Sequence, residues 1–266
     1  MTLSIVLGAL VGVVMGLTGA GGGILAVPLL VFGLDLTVAQ AGPVGLLAVG
    51  IAAAMGAIVG LKAGIVRYRA ALLVAATGVL LAPAGVWLAQ RLDTRILSVL
   101  FAVVLLWVAY KSFKESKQDS HANTPQAERP CILDLQSGRF IWTGKCAGRL
   151  AAAGSIAGLL SGLLGVGGGF VMVPGLQRYT DLPMQSVVAT SLAVIALISM
   201  TSVATSCSGG HLNLGTAAPF AAGAMAGMLS GNKLSSLLSP QHLKISFGVI
   251  CLIVAAGMIM KALAQL

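Results

Sequence analysis

One motif occurs twice in this chain. GLTGAGGGILAVP occupies residues 16–28 and GLLGVGGGFVMVP occupies residues 162–174, an offset of 146 residues. Matching residues continue at that offset through both halves without a gap, as in Gly8 and Gly154, Asp35 and Asp181, Leu46 and Leu192, and Phe101 and Phe247. The two halves are therefore homologous repeats, and the fold must contain the same unit twice.

The composition places both repeats in a membrane. The mean hydropathy of the 266 residues is +1.00, with 58% hydrophobic and 9% charged residues, which is outside the range of ordinary soluble domains. Apolar stretches long enough to cross a bilayer as helices recur along the chain. The first stretch follows Thr2 with no basic region before it, so we expect a span rather than a removable signal peptide. The sequence predicts an all-α integral membrane protein.

Each repeat is predicted to contain about five helical segments. They fall at about 3–17, 21–33, 38–60, 70–90 and 95–112, and again at about 147–163, 167–179, 184–206, 216–235 and 241–263. The second segment of each half is too short for an ordinary span and is interpreted as broken or re-entrant. The predicted organisation is a first membrane repeat over 1–112, a linker over 113–145 and a second membrane repeat over 146–266.

Positive charge predicts the orientation of the repeats. Lys62, Arg67 and Arg69 in the connection 61–70, together with the basic linker, indicate that both connections are cytoplasmic. The equivalent connection in the second half, 207–215, has no Lys or Arg and is predicted to be periplasmic. The repeats are therefore expected to be inverted, although Arg91 and Arg95 then lie outside. The sixteen Lys and Arg are interpreted as topology signals and not as a nucleic-acid surface.

The ionisable and thiol side chains suggest no cofactor chemistry. Four cysteines without C-x-x-C spacing and three histidines predict neither a disulfide framework nor a metal site. Asp35 and Asp181 lie at equivalent connections, where they are expected to cap the following helices. No Asp or Glu lies in the middle of a predicted span, so no carboxylate proton relay is expected. His211 as a proton carrier and Cys207 as a substrate contact remain open alternatives.

The glycine runs allow three interpretations. A nucleotide-binding loop fails because Ile24 and Phe170 stand where the last small residue of the fingerprint belongs. Helix packing accounts well for Gly8, Gly12 and Gly16, which recur at a spacing of four residues. Three consecutive glycines instead predict a helix break, because each costs roughly 1 kcal/mol in a helix interior.

A helix that restarts after such a break presents unpaired N–H groups and a positive dipole end, which favour an anion. Two inverted repeats would place two such ends near the middle of the membrane. Hydroxyls of Thr18, Ser161, Thr190 and Ser191 would add donors, or they are bonded to carbonyls of their own helices. The predicted substrate-binding residues are Thr18, Gly19, Gly21, Gly22, Gly23, Gly165, Gly167, Gly168, Gly169, Thr190 and Ser191.

The paired glycine motifs, with DLPMQSVVATSL at 181–192 after the second, resemble the sulfite exporter TauE/SafE family. The resemblance covers both halves and implies a multi-pass permease of the bacterial inner membrane for small sulfur-containing anions such as sulfite or sulfonates. The second-half Ala-Thr-Ser at 189–191 fits the family pattern, whereas Pro-Val-Gly stands at 43–45 in the first half.

The resulting expectation is a secondary transporter that exports a small anion, without a cofactor or a catalytic residue, and whose partners are that anion and the lipid bilayer. A passive anion channel is the first alternative. An intramembrane hydrolase that pairs Ser206 or Ser208 with His211 is the second.

Overall fold

The computed structural model describes residues 2–19, 21–118, 131, 143–208, 214–234 and 240–264. Within these residues the secondary structure is helical apart from one isolated bridge between Cys131 and Thr180. The helices of the first repeat are α1 (Thr2–Thr18), a 3₁₀ helix (Gly21–Leu25), α2 (Ala26–Gly33), α3 (Val38–Lys62), α4 (Tyr68–Arg91) and α5 (Thr94–Gln118). Those of the second are α6 (Gly144–Leu164), α7 (Gly169–Tyr179), α8 (Met184–Ser208), α9 (Leu214–Leu234) and α10 (Pro240–Ala264).

The predicted segments are confirmed, including the short second segment of each half. At the offset of 146, α3 falls on α8 and α5 on α10 with the same first and last residues. Five of the described helices are long and apolar enough to span a membrane. Helix α5 continues to Gln118, so it extends six residues into the predicted linker.

Helices of one repeat pack mainly against helices of the other. The largest contacts join α1 to α9, α4 to α6, α3 to α8 and α5 to α10, a pattern that is unchanged when the repeats are exchanged. A Cβ on Gly8 or Gly12 would clash with the α9 carbonyl oxygens of Phe220 and Ala224. These are packing glycines, as predicted, because only a glycine lets two backbones approach this closely.

Each short segment folds back on the helix before it. Gly22 lies against the backbone of Met15, and a Cβ on Gly33 would lie 2.5 Å from Leu7 Cδ1, so α2 returns along α1. In the second repeat Gly168 lies near Ala157 O and Gly175 near Ala153, so α7 returns along α6 in the same way. Both short segments are therefore re-entrant hairpin arms, which decides between the alternatives left by the sequence.

Equivalent central helices run in opposite directions. Gly50 of α3 lies beside Ser199 of α8, and Gly60 lies beside Ala189, so residue numbers rise on one helix as they fall on the other. Opposed directions of equivalent helices are what inverted repeats require. The orientation of each repeat in a membrane is a separate matter and stays a prediction.

The connections define two faces of the bundle. The Asp35 face carries the start of α1, the connection 34–37, the end of α4 and the end of α10. The Arg67 face carries the connection 63–67, the end of α5, the start of α6 and the connection 180–183. Described Lys and Arg residues on the Arg67 face are Lys62, Arg67, Arg69, Lys111, Lys114, Lys145, Arg149 and Arg178, and on the Asp35 face they are Arg91, Arg95 and Lys261.

The expectation of no disulfide is wrong. Cys131 and Cys146 are joined, with their Cα atoms 5.1 Å apart. The absence of C-x-x-C spacing was uninformative because the partners are 15 residues apart in sequence and meet through the fold. The Cys131 N–H donates to Tyr179 O, which holds that residue at the end of α7.

The capping role predicted for Asp35 is also wrong. Thr37 caps α3, where its hydroxyl accepts from the Gln40 N–H and Gln40 reaches back to the Thr37 N–H. Asp35 instead adopts a φ of 50° and pairs with Lys261 Nζ at 3.4 Å. The capping box two residues later bonds the free N–H groups at the start of α3. The Asp35 carboxylate is therefore available to pair with Lys261 at the end of α10.

Candidate functional site

The tips of the two hairpins meet in the interior. A Cβ on Gly23 of the first tip would lie 3.0 Å from Val166 O of the second. Positions Gly23 and Gly167 both contact Val49 of α3, and all three residues are buried. The expectation that the two glycine runs converge is therefore met in the geometry, while anion binding there remains untested.

The second tip is a true helix break. Gly165, Gly167 and Gly168 have φ values of 74°, 76° and 70°, the left-handed region that glycine adopts without strain. Gly165 closes α6 by donating its N–H to Ser161 O at 2.9 Å. Gly168 is the N-cap of α7 and offers no side-chain hydrogen bond. The negative end of α6 is thus capped, whereas the first N–H groups of α7 have no side-chain acceptor.

The first tip is built differently. Gly19 has a φ of 83°, but Gly21, Gly22 and Gly23 form the start of the 3₁₀ helix that leads into α2. Gly22 is pressed against α1, so its lack of a side chain serves close packing. The predicted helix break is present here too, but it is formed by Gly19 and a 3₁₀ helix, so the two tips differ in backbone conformation.

Two buried hydroxyls near the second tip have no hydrogen-bond partner. They belong to Ser161, on the last turn of α6, and Ser199, in the middle of α8. A Cβ on Gly167 would lie 3.2 Å from Ser199 Oγ. Unpaired buried hydroxyls are unfavourable and therefore indicate a polar ligand or a water at this position.

Ser199 is not among the residues predicted from the sequence, although one feature of the sequence indicates it. At the offset of 146 its counterpart is Ala53, so the hydroxyl is a departure from the repeat in the middle of an apolar helix. Comparison of the two repeats position by position would have found it.

A cavity of about 170 Å³ reaches from the Asp35 face to the second tip. It lies between the start of α3, the end of α4 and the end of α6, and it ends against Gly165. Its polar lining is uncharged and comes from Gln40, Gln90 and Ser206. The cavity therefore offers hydrogen-bonding groups without a carboxylate that would repel an anion.

Toward the Arg67 face, a side chain fills the position equivalent to Gly42. A Cβ on Gly19 would lie 2.7 Å from Val188 Cγ1, so this isopropyl group fills the space that Gly42 leaves empty beside Gly165. Thr190 is fully buried, and its hydroxyl accepts from the Arg67 N–H at 3.1 Å. It fastens the connection 63–67 to α8 and does not lie at either tip.

Two other predicted hydroxyl ligands bond to their own helices. Thr18 Oγ1 donates to Val14 O at 2.7 Å, and Ser191 Oγ donates to Val188 O at 2.8 Å. For these residues the structure favours the alternative that the sequence left open. Gly169 begins α7 and is buried beside the break.

The remaining candidates are distributed as follows. Ser206 Oγ donates its proton to Ser202 O in a hydrogen bond. A serine nucleophile would instead donate that proton to a catalytic base. His211 lies outside the described residues, as does the side chain of Ser208, and Cys207 is exposed at the end of α8. Among the residues that the structure describes, no three His, Cys, Asp or Glu side chains come together.

A helical bundle of two interlocked repeats, with re-entrant tips that meet at a buried break, is an architecture that membrane transporters use. The chain belongs to the sulfite exporter TauE/SafE family, whose model matches residues 4–258. It is similar to a "Probable membrane transporter protein" of Xylella fastidiosa, with 28% identity over 97% of this chain and 95% of that one. A "Probable membrane transporter protein YunE" of Bacillus subtilis is 23% identical over 97% of both chains. No solved structure matches this chain.

Proposed function

We propose that this protein carries a small sulfur-containing oxyanion, such as sulfite or a sulfonate, across the bacterial inner membrane by alternating access to the second hairpin tip. The observation that carries the proposal is the conjunction of an uncapped α7 N-terminus with the unpaired hydroxyl of Ser199. Together these groups supply hydrogen-bond donors and a positive dipole end in the buried interior, and they need no counter-charge.

Shape at the two ends favours a carrier over a passive channel. The cavity from the Asp35 face stops at Gly165, and Val188 fills the equivalent position toward the Arg67 face. A site open toward one face and sealed toward the other is the arrangement that alternating access exchanges. In the alternative state, the space beside Gly42 would be filled and the space beside Val188 would open toward the Arg67 face.

We propose that the Arg67 face is cytoplasmic. Described Lys and Arg residues are concentrated on this face, as expected for cytoplasmic connections. The Cys131–Cys146 bond argues the other way, because cytosolic thiols reduce such bonds. The charge bias extends over many connections, so it outweighs a single pair of cysteines that a reducing compartment would open.

Transport activity is tested in proteoliposomes by counterflow. Vesicles loaded with unlabelled sulfite, thiosulfate, a sulfonate or a carboxylate receive a trace of labelled sulfite outside. The proposal predicts accumulation of label with the sulfur oxyanions and little with the carboxylate. Flux without stimulation by internal anion would indicate a channel, and no flux with any sulfur oxyanion would contradict the proposal.

Orientation is tested separately by thiol labelling in cells after removal of the native cysteines. Ala63→Cys, in the exposed connection of the Arg67 face, should react only when a reagent enters the cytoplasm. Asp93→Cys, exposed at the Asp35 face, should react from the periplasm. Export of an anion is then downhill in an inside-negative potential by about 2.3 kcal/mol per charge per 100 mV. The reversed labelling pattern would overturn the proposed orientation.

A further inference from the structure

A groove lies between α5, α6 and α7, on the outer side of the second hairpin. It encloses about 590 Å³. Val103 and Ile156 on its wall are 57% and 53% exposed, so the described part of the chain does not cover them. The wall is apolar and comes from all three helices, through Val103, Val104, Ile156, Leu160, Phe170 and Val171.

Three cations lie together at one end of this groove. Lys111, Arg149 and Arg178 all line it, and all three belong to the Arg67 face. The Arg149 guanidinium lies 5.8 Å from the ring centroid of Tyr179, and Lys111 Nζ lies 5.1 Å from that of Trp107. Tryptophan and tyrosine beside Lys and Arg are typical of the membrane–water interface. The groove therefore runs from a cationic, aromatic rim at the headgroup level to an apolar wall at the acyl level.

At the equivalent place beside the first hairpin none of these three positions is cationic, and the cation found nearby is Lys261, 5.7 Å from the Phe32 ring centroid. A Cβ on Gly257 would lie 3.1 Å from Phe32 Cζ, so a phenyl ring occupies that space. The repeated fold therefore does not itself require these three cations, which lie where α5 of the first repeat meets α6 and α7 of the second. At the offset of 146 the counterparts of Lys111, Arg149 and Arg178 are Gly257, Leu3 and Phe32.

We propose that the groove binds an anionic glycerophospholipid, with its headgroup phosphate on the three cations and an acyl chain along the apolar wall. Both halves of this ligand have a counterpart in the groove. From Arg149 to Leu160 the α6 wall extends roughly 16 Å, enough for much of one acyl chain in a leaflet. A free anion would use the cations and leave the wall unoccupied. Basic pockets between transmembrane helices near the cytoplasmic surface are recognised sites for anionic headgroups.

The site is tested on purified, folded protein in nanodiscs of phosphatidylcholine with and without phosphatidylglycerol. Native mass spectrometry counts retained phosphatidylglycerol, and thermal unfolding reports the shift in Tm that this lipid causes. A triple variant (Lys111→Gln, Arg149→Gln, Arg178→Gln) should lose retained lipid on the order of tenfold or more and lose the shift in Tm. The matched control is Lys114→Gln with Lys145→Gln, two exposed cations of the same face that do not line the groove. This control should behave as the wild type.

A second variant tests the wall without a change of charge. Ala152→Phe places a ring in the groove from an exposed position on α6, so it should also expel the lipid. Equal phosphatidylglycerol retention by the triple variant and its control would overturn the proposal. An equal shift in Tm from soluble glycerol phosphate in detergent would also overturn it, in favour of a free-anion site. If the triple variant unfolds in phosphatidylcholine, Ala152→Phe decides the question. Lipid retention and the shift in Tm are then measured on that variant, and wild-type values for both would overturn the proposal.

Discussion

The two hairpin tips come from the same motif, yet their surroundings differ among the described residues, where a cavity borders the second tip and a valine packs on the first. At the first tip Gly19 packs against Val188, whereas at the second tip Gly165 faces Gly42, which has no side chain. The second tip also has three left-handed glycines and the nearby hydroxyl of Ser199. The comparison shows that the duplication produces two similar hairpins. A few substitutions between the repeats then determine which hairpin tip borders a cavity and which has a polar side chain nearby.

The largest expected effect comes from placing a side chain on a left-handed glycine of the second tip. Gly168→Ala should abolish transport, because its φ of 70° is unfavourable for alanine and its Cβ would lie 2.6 Å from Ala157 O. Gly64→Ala is the matched control, since Gly64 has a φ of 68° but nothing within 4 Å of the new Cβ. That control should cost about 1–2 kcal/mol of stability and keep its counterflow. Equal counterflow in both variants would mean that the break is only structural.

Filling the open end should block transport in a folded protein. A Cβ at position 42 would make ordinary contact with Gly165 Cα at 3.6 Å, so Gly42→Val should fold. Its side chain then occupies the cavity as Val188 occupies the other end, and counterflow should fall to near background. Gly148→Val, at an exposed helical position with nothing within 4 Å, should keep wild-type counterflow. Unchanged transport by Gly42→Val would remove the cavity from the pathway.

Removing the unpaired hydroxyl should weaken anion binding. Ser199→Ala deletes one donor to the proposed anion, and hydrogen bonds to charged groups contribute about 1.5–3 kcal/mol, or roughly 10- to 100-fold in affinity. Stability should change little, because this hydroxyl has no partner to lose. Ser202→Ala on the same helix is the control, since its hydroxyl already bonds to Ile198 O. Equal sulfite affinity in the two variants, measured by thermal shift, would place the anion elsewhere.

The smallest expected effect comes from opening the sealed end. Val188→Gly removes the side chain that fills the space beside Gly19, at a helix cost of about 1 kcal/mol. We expect a several-fold rise in anion efflux that no longer needs an exchangeable anion on the other side. Efflux from preloaded proteoliposomes measures it, and a wild-type rate would show that Val188 is not a barrier.

The sequence predicts the helices well and the site only partly. Apolar length and the offset of 146 locate the helices because span length and repeat matching can both be read directly from the sequence. The partners of hydroxyls and cysteines depend on tertiary packing, so Thr18, Ser191 and the Cys131–Cys146 pair were misjudged or left open. The asymmetry between Gly42 and Val188 was readable in the sequence, but its meaning required knowing that each faces a hairpin tip.

Access to the second tip from one face alone is the central claim, and paired cysteines test it most directly. In a cysteine-free background Gly42→Cys and Val188→Cys occupy equivalent positions of the two repeats. A membrane-impermeant thiol reagent in proteoliposomes of known orientation should label position 42 from the Asp35 face, and sulfite should slow that labelling. Position 188 should stay unlabelled from the Arg67 face unless the substrate drives exchange of the open end. Equal labelling of both positions without substrate, or labelling at 42 that sulfite does not affect, would contradict the account.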